Sequence, residues 1–380
     1  MKNKITACVL SVLCAASLCG CSGKDLKGFD SYSYFGTRIR WVYLPKGEEE
    51  SVWRGITDCA DRVQKSVSLS EDGAVTVFNA AEAGAVVELD ETAFRALRFA
   101  KEMYEFTEGA YNPATGGLID LWGFSPRHNA ADYSPVYPYD RADFRNELPK
   151  RKYIDAFLTL TDFSSVTLSE SDGKYYALKP DVSAEVDGVV YTMRLNLGGI
   201  AKGLSADLAK DVVTSAGHRY GYLNFGASSM VVFENPKSDT SKWEISVVSP
   251  RAELGDELMT VYEKNSVLSS SGDSELFYEY GGKRYSHIID PETAYPVGTA
   301  ENEACHIVYA AVSGFSAAEG DALSTALVAM GRDRAIAFAE KYAEEFTVYL
   351  LYCEGGEYTL YTTASSDRYR LRANVKAVLL

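Results

Sequence analysis

The chain carries 380 residues, with 53 acidic against 38 basic side chains and a formal net charge of −15. That balance makes nucleic acid a poor partner, and it requires any anionic ligand to be held by a local device, a metal ion or a helix N-terminus, against the overall field. The length can bury a large core, as one big domain or two intimately joined ones.

The N-terminus MKNKITACVLSVLCAASLCGCSGKD sets two lysines before an uncharged apolar run from Ile5 to Leu18, short for a membrane span and right for the core of a secretory signal. Residues Leu18-Cys19-Gly20-Cys21 resemble a bacterial lipobox, in which the last cysteine takes lipid and becomes the first residue of the mature chain. The expected organisation is a signal peptide over 1–20, a tether over 21–33 and a body over 34–380. The protein would be exported and lipid-anchored through Cys21 on the outer side of the cytoplasmic membrane or the periplasmic face of a membrane; a plain signal cleaved without lipid is the alternative. Removing residues 1–20 deletes Lys2 and Lys4 and no acid, so the formal charge becomes −15 − 2 = −17. Of the seven cysteines, Cys59, Cys305 and Cys353 then remain unmodified. Their spacing holds no zinc or redox motif, and they read as buried free thiols.

Tyr34 to Tyr43 alternates like a strand, a helix begins near Ser51 and closes over Asp61 to Val67, and a stronger one runs from Asp90 to Phe106 with Gly109 as its stop. YNPATGGLIDLWGFSP reads as loop, and the proline- and tyrosine-rich residues 127–150 read as an inserted surface loop. Strands are expected near Val166 and Tyr175. LNLGGIAKGLSADLAKDVVTSAG then shows helical spacing in Ala201, Leu204, Leu208 and Val212. Beyond it, YGYLNFGASSMVVF, WEISVVS, ELFYEYGG, KRYSHIID and CHIVYAAV read as strands, with TVYLLY and YTLYTT as a late hairpin. Strands and helices mix without regular alternation, which gives an α+β class.

Three constellations carry chemistry. Gly198-Gly199 directly before a helix lets backbone amides approach a phosphate at the positive helix end, with Lys202 one turn in. In FSAAEGDALSTALVAMG, Ser316 and Glu319 form a capping-box start, and Leu323, Leu327 and Met330 form a core stripe. Asp321, Ser324 and Thr325 share another face. The plain explanation is a first-turn carboxylate complementing the helix dipole and hydroxyls bonding back to the backbone. The sharper one is a hard-cation site, since a carboxylate and a hydroxyl one turn apart can donate oxygen to one Mg²⁺. Finally, RYSHIIDPETAYPVG sets His287 in an apolar strand before an Asp-Pro turn, whereas His128, His218 and His306 lack a partner motif.

Taken together, YFGT, GAVTVFN, YNPATGGLIDLWGF, LNLGGIAKG, SSSGDSELFYEYGGKRYSHIIDPETAYPVG and GDALSTALVAMG resemble the ApbE-type FAD:protein FMN transferases, bacterial enzymes that attach FMN covalently to other proteins. The pieces appear in the family's order over most of residues 34–331. The resemblance implies a single large α+β transferase domain with T-fold-like halves. It implies Mg²⁺ held by Asp321, Thr325 and a backbone carbonyl assigned to Gly199, with Ala201 as the alternative, and bridging the FAD pyrophosphate. It further implies attack by a threonine or serine hydroxyl of an acceptor flavoprotein on the FMN-side phosphorus, with AMP leaving and His287 as general base. Flavin contacts would come from Ala110, Tyr111, Asn112, Asn196, Lys202 and the stretch around Ile289; Phe35 stands in the YFGT piece, and Asn79 would lie near the adenine end. The chain departs from the family pattern at Phe35, usually Met, and at Asn112 and Asn196, usually Asp. Hydrolysis of FAD to FMN and AMP, or flavin binding without catalysis, are the competing readings.

Overall fold

Strands such as Ser229–Val232 and Cys305–Gly314 are apolar on both sides, the pattern of a strand covered from two faces. In the computed structural model, which describes residues 25–69, 73–124, 148–300, 305–314 and 316–380, they lie inside a nine-stranded sheet. Its order is Lys27–Tyr34, Thr37–Tyr43, Gly221–Phe225, Ser229–Val232, Ser266–Gly272, Cys305–Gly314, Thr347–Glu354, Glu357–Thr362 and Lys376–Leu379. Neighbours are antiparallel except the final pair.

The helices in chain order are α1 (Glu49–Val67), α2 (Ala74–Ala80), α3 (Glu91–Phe106), α4 (Gly116–Leu121), α5 (Arg151–Leu158), α6 (Gly198–Ser215), α7 (Ala317–Ala329) and α8 (Gly331–Lys341). On one sheet face Ile39, Trp41 and Tyr43 alternate toward Val52 and Ile56 of α1 and Ala206, Ala209 and Val213 of α6. On the other, Val42, Met230 and Leu268 meet Trp243, Ile245 and Val261 of a small sheet built from Trp243–Val248, Glu257–Glu263 and Tyr369–Leu371. Helix layer, central sheet and cover sheet make three layers, so the α+β class holds.

The helix layer is closest where α6 meets the start of α7. A Cβ on Gly203 would lie 2.3 Å from the Ala317 carbonyl oxygen, so only glycine allows this approach. Four residues on, Asp207 of α6 accepts from the Ala317 and Ala318 amides at 2.8 and 3.0 Å and from the Ser316 hydroxyl at 2.8 Å. Ser316 itself accepts from the Glu319 amide. The start of α7 is therefore capped twice, once by its own serine and once by its neighbour helix.

Several local expectations change. Tyr34 to Tyr43 is not one strand throughout: Thr37–Tyr43 is a strand, but it is preceded by a hairpin corner in which Phe35 and Gly36 take positive φ values of 52° and 63°. Residues 27–33, expected as tether, belong to the first strand. The stretch expected as loop after Tyr111 contains α4, whose Leu118 and Leu121 are buried with Trp122. In α6 the fully buried face is Ile200, Ala201, Ser205, Ala206, Ala209 and Val213, while Leu204, Leu208 and Val212 lie at its margin, because small residues are what close helix packing demands. Of the three thiols only Cys59 is buried. The inserted loop falls almost wholly outside the described residues, as do Cys21 and His128.

Removing the inter-helix cap tests this interface. Asp207→Ala should lower stability by about 2 kcal/mol, read as a lower urea midpoint with an unchanged slope; an unchanged midpoint would mean that Ser316 alone suffices.

Candidate active site

The polar face of α7 turns inward. Asp321 is 5% exposed, its Oδ2 accepts the Gly203 amide of α6 at 2.7 Å and its Oδ1 accepts the Ser229 hydroxyl at 2.6 Å. It is thus not the first-turn surface carboxylate of the plain reading; Glu319 occupies that place. Ser324 and Thr325 do bond back to the Asp321 carbonyl, at 3.1 and 3.0 Å. Both also meet Ser271, whose Oγ lies 2.9 Å from Ser324 Oγ and 3.0 Å from Thr325 Oγ1. Ser324 is fully buried by these contacts, while Thr325 keeps an accessible side.

The N-terminus of α6 points at the same place. Its first turn carries no acidic side chain, Gly198 is exposed, and the Asn196 Oδ1 holds the Gly198 amide at 2.8 Å. A Cβ on Gly199 would sit 3.2 Å from Tyr111 Cε2 and 3.6 Å from Thr325 Oγ1, so this glycine is where α6, α7 and the Tyr111 ring touch. In a regular helix the Gly203 amide would bond to the Gly199 carbonyl. Here that amide donates to Asp321, and a backbone carbonyl oxygen has two lone pairs, so the Gly199 carbonyl has acceptor capacity for a ligand.

Burial raises the Asp321 carboxyl to about 6, opposed by Lys202 and by the bonds from Ser229 and Gly203. A carboxylate so placed gains from a nearby cation. Among the described residues no three His, Cys, Asp or Glu side chains cluster as a metal cage. The donor set of one carboxylate, one hydroxyl and one backbone carbonyl suits a hard cation that takes its remaining ligands from phosphate and water, which is the habit of Mg²⁺.

His287 follows the Lys283–Ser286 strand instead of lying in it, and only its margin is accessible. Its backbone amide bonds to the Leu276 carbonyl at 3.0 Å and its Nδ1 lies 3.3 Å from the same oxygen. A proton assigned to Nδ1 leaves Nε2 as the acceptor. Burial, then Lys202, lowers its pKa against the opposing pull of Glu275, so the ring is neutral at pH 7. The carbonyl that orients it belongs to a turn pinned by Asp273. Burial opposes ionisation of Asp273, yet bonds from His306 at 2.7 Å and from Arg251 at 2.6 and 2.5 Å hold it below the usual carboxylate range. His306, discounted for want of a partner, has one in the fold.

The remaining candidates divide. Phe35 is half-buried at its hairpin corner, its amide bonded to Gln64. Asn79 spends both ends of its amide on the Leu195 backbone, at 2.7 and 2.8 Å, and so clamps the segment leading into α6 instead of offering a free group. Behind it the fully buried Lys179 amine binds the Phe78, Asn79 and Ala81 carbonyls, and burial lowers its pKa to about 8. The Ile289 side chain is consumed by a cluster with Trp122 and Tyr285, and Ala110 is buried. Asn112 donates to the Thr161 carbonyl at 2.9 Å and accepts from the Ala114 amide at 2.9 Å; an ionised aspartate could not make the first of these bonds. Ser229, Ser269 and Ser271 were not singled out beforehand. The signal for Ser269 and Ser271 was the serine run SSSGDSE and for Ser229 the pair in GASSMVV, but nothing local says which strand faces α7.

The pattern of the ApbE family matches residues 35–350. An FAD:protein FMN transferase of Haemophilus influenzae is 24% identical over 92% of this chain and 93% of that protein, and one from Treponema pallidum is 24% identical over 88% and 87%. Among solved structures, the flavin transferase ApbE from Vibrio cholerae superimposes with a TM-score of 0.70 at 20% identity, covering 92% of this chain and all of that one. The apo flavinyl transferase ApbE of Pseudomonas stutzeri gives 0.70 at 22% identity, covering 89% and 95%.

The buried carboxylate has a consequence for stability that needs no ligand. Because folding raises Asp321 from 3.8 to about 6, its contribution is fully present below the unfolded value and is lost as pH rises through the folded one, a difference of about 3 kcal/mol. In the chelated, ligand-free chain Asp321→Asn should therefore raise the melting temperature at pH 7.5, with an advantage that shrinks toward pH 4. A deficit constant across that range would assign Asp321 a purely structural role.

Proposed function

This chain belongs to the ApbE family, and from that premise we propose that it transfers FMN from FAD to a threonine or serine of an acceptor flavoprotein and releases AMP, with Mg²⁺ at Asp321, Thr325 and the Gly199 carbonyl. One observation carries the reading: an α6 N-terminus without a compensating acid converges, at Gly199, on the buried carboxylate and hydroxyl of α7.

Bound there, Mg²⁺ would neutralise charge on the pyrophosphate oxygens. The chain supplies the rest. The α6 amides and Lys202 orient the phosphates, and the small residues of the turn let the backbone approach them. The acceptor hydroxyl oxygen bonds to the FMN-side phosphorus while the bond from that phosphorus to the bridging oxygen breaks. AMP leaves with the electron pair, and the hydroxyl proton passes to Nε2 of His287. Nothing in this sequence requires a covalent enzyme intermediate, so positioning is the protein's main contribution.

Intact mass of an acceptor domain bearing an Asp-Gly-x-Thr motif, after incubation with the mature chain, FAD and Mg²⁺, should show a gain of one FMN. Chelator or Asp321→Ala should abolish it. Steady AMP and FMN release without acceptor modification would make the protein a pyrophosphatase instead, and tight FAD binding without products would make it a carrier.

Since His287 is held below its ordinary value, the acid limb of kcat/KM should fall below pH 6.5, and His287→Gln should lose at least a hundredfold in rate while still binding FAD. An unchanged rate would remove His287 as the base.

The export reading has its own check. Metabolic labelling with a radioactive fatty acid in a bacterial host should mark the wild-type chain and not Cys21→Ser; equal labelling would dismiss the lipid anchor.

A further inference from the structure

Tyr111 is 3% exposed, and its phenolic oxygen has no hydrogen-bond partner among the described residues. Its backbone is firmly placed, since the amide is held by Thr107 Oγ1 at 3.0 Å. The ring edge nearest Gly199 is Cε2, the carbon beside the one that bears the hydroxyl. The hydroxyl end therefore lies at the junction of Gly199, Thr325 and Asp321. Asp321 acts on Tyr111 electrostatically, yet no hydrogen bond joins the two: the carboxylate oxygens meet Gly203 and Ser229, and the phenol oxygen is left without a partner.

Phenylalanine would fill the same space without burying a polar atom. A buried donor left without an acceptor is uncommon in folded proteins and counts against stability. Its position beside Gly199 and Thr325, the residues to which the transferase reading assigns the metal-bound pyrophosphate, supplies a reason, because a phosphate offers acceptors only. We propose that the Tyr111 hydroxyl is a phosphate-recognition group, donating to a pyrophosphate oxygen of the bound dinucleotide at the mouth of the α6–α7 junction. This rests on the transferase reading above and adds a residue with a defined role on the phosphate side, distinct from a flavin contact. It acts in binding and orientation and takes no proton in the reaction.

The test compares the mature chain with Tyr111→Phe in three measurements. FAD affinity in Mg²⁺, from flavin fluorescence, should weaken roughly ten- to thirtyfold in the variant. Affinity for riboflavin, which has the ring system and no phosphate, should be unchanged. The melting temperature of the chelated, ligand-free variant should equal or exceed that of the wild type, because a stranded donor has been removed. FAD affinity equal to wild type, an equal loss for riboflavin, or a lower melting temperature of the free chain would each overturn the proposal, the last by showing that the hydroxyl has a partner inside the fold. Failure of the wild type itself to bind FAD in Mg²⁺ would overturn the transferase reading and this inference together, whereas normal wild-type binding with an unaffected variant would overturn this inference alone.

Discussion

The crossing of α6 and α7 at Gly203 is the constraint from which the rest of the site follows. With no side chain at that position, the two helix backbones come close enough for each helix to send a carboxylate to the other's amides: Asp321 to Gly203, and Asp207 to Ala317 and Ala318. The exchange is reciprocal and local. It fixes the distance between the Gly199 turn and Thr325, which a cation site built from a single helix could not do. It also explains why α6 buries alanines, glycine and serine where an ordinary amphipathic helix would bury leucines. Below α7 the same economy recurs, since Gly320 leaves room for Ser269 of the central sheet, whose hydroxyl reaches the Ala317 carbonyl at 3.1 Å.

The sequence made the helices of the site legible because caps and periodicity are local signals. Ser316 with Glu319, Asp90 before α3 and the Gly-Gly start of α6 all appear in the structure within a residue or two of where they were expected. What it left unreadable is what depends on distant parts of the chain. Asp207 caps a helix more than a hundred residues away, and Ser229 and Ser271 reach α7 from strands whose order in the sheet no local pattern encodes. Phe35 was misread for another reason: an alternating run disguised a corner that requires positive φ at a non-glycine residue. The short α4 was missed because its two leading glycines and the flanking Pro113 and Pro126 carry the composition of a loop, although Leu118, Leu121 and Trp122 give it a buried side.

Support for the site extends well behind its surface. Lys179 satisfies the carbonyls that end α2, which places Asn79, which in turn holds Leu195 just before the turn into α6. On the other side, Arg251 and His306 fix Asp273, and the turn after Asp273 presents the carbonyl that orients His287. Each support is anchored by a buried charged group, Lys179 bonded to three backbone carbonyls and Asp273 bonded to Arg251 and His306, an arrangement that favours one geometry over many. Such groups are costly where unpaired, so each chain of contacts tolerates little displacement.

Three features of the junction are individually unfavourable in the ligand-free chain: a carboxylate buried enough to be raised to about 6, a helix N-terminus with no acid beside it, and a buried phenol without an acceptor. They differ in sign. The carboxylate asks for a cation, whereas the helix end and the phenol ask for an anion, and a lone metal ion or a lone phosphate would relieve one kind while aggravating the other. The metal-bound pyrophosphate of the proposed function would relieve all three at once, because it would present positive charge to Asp321 and acceptor oxygens to α6 and Tyr111. On that proposal the free chain is strained toward the complex that the reaction would need, and binding energy would be directed to the phosphorus where the bond exchange would occur, with the flavin ring left to secure orientation.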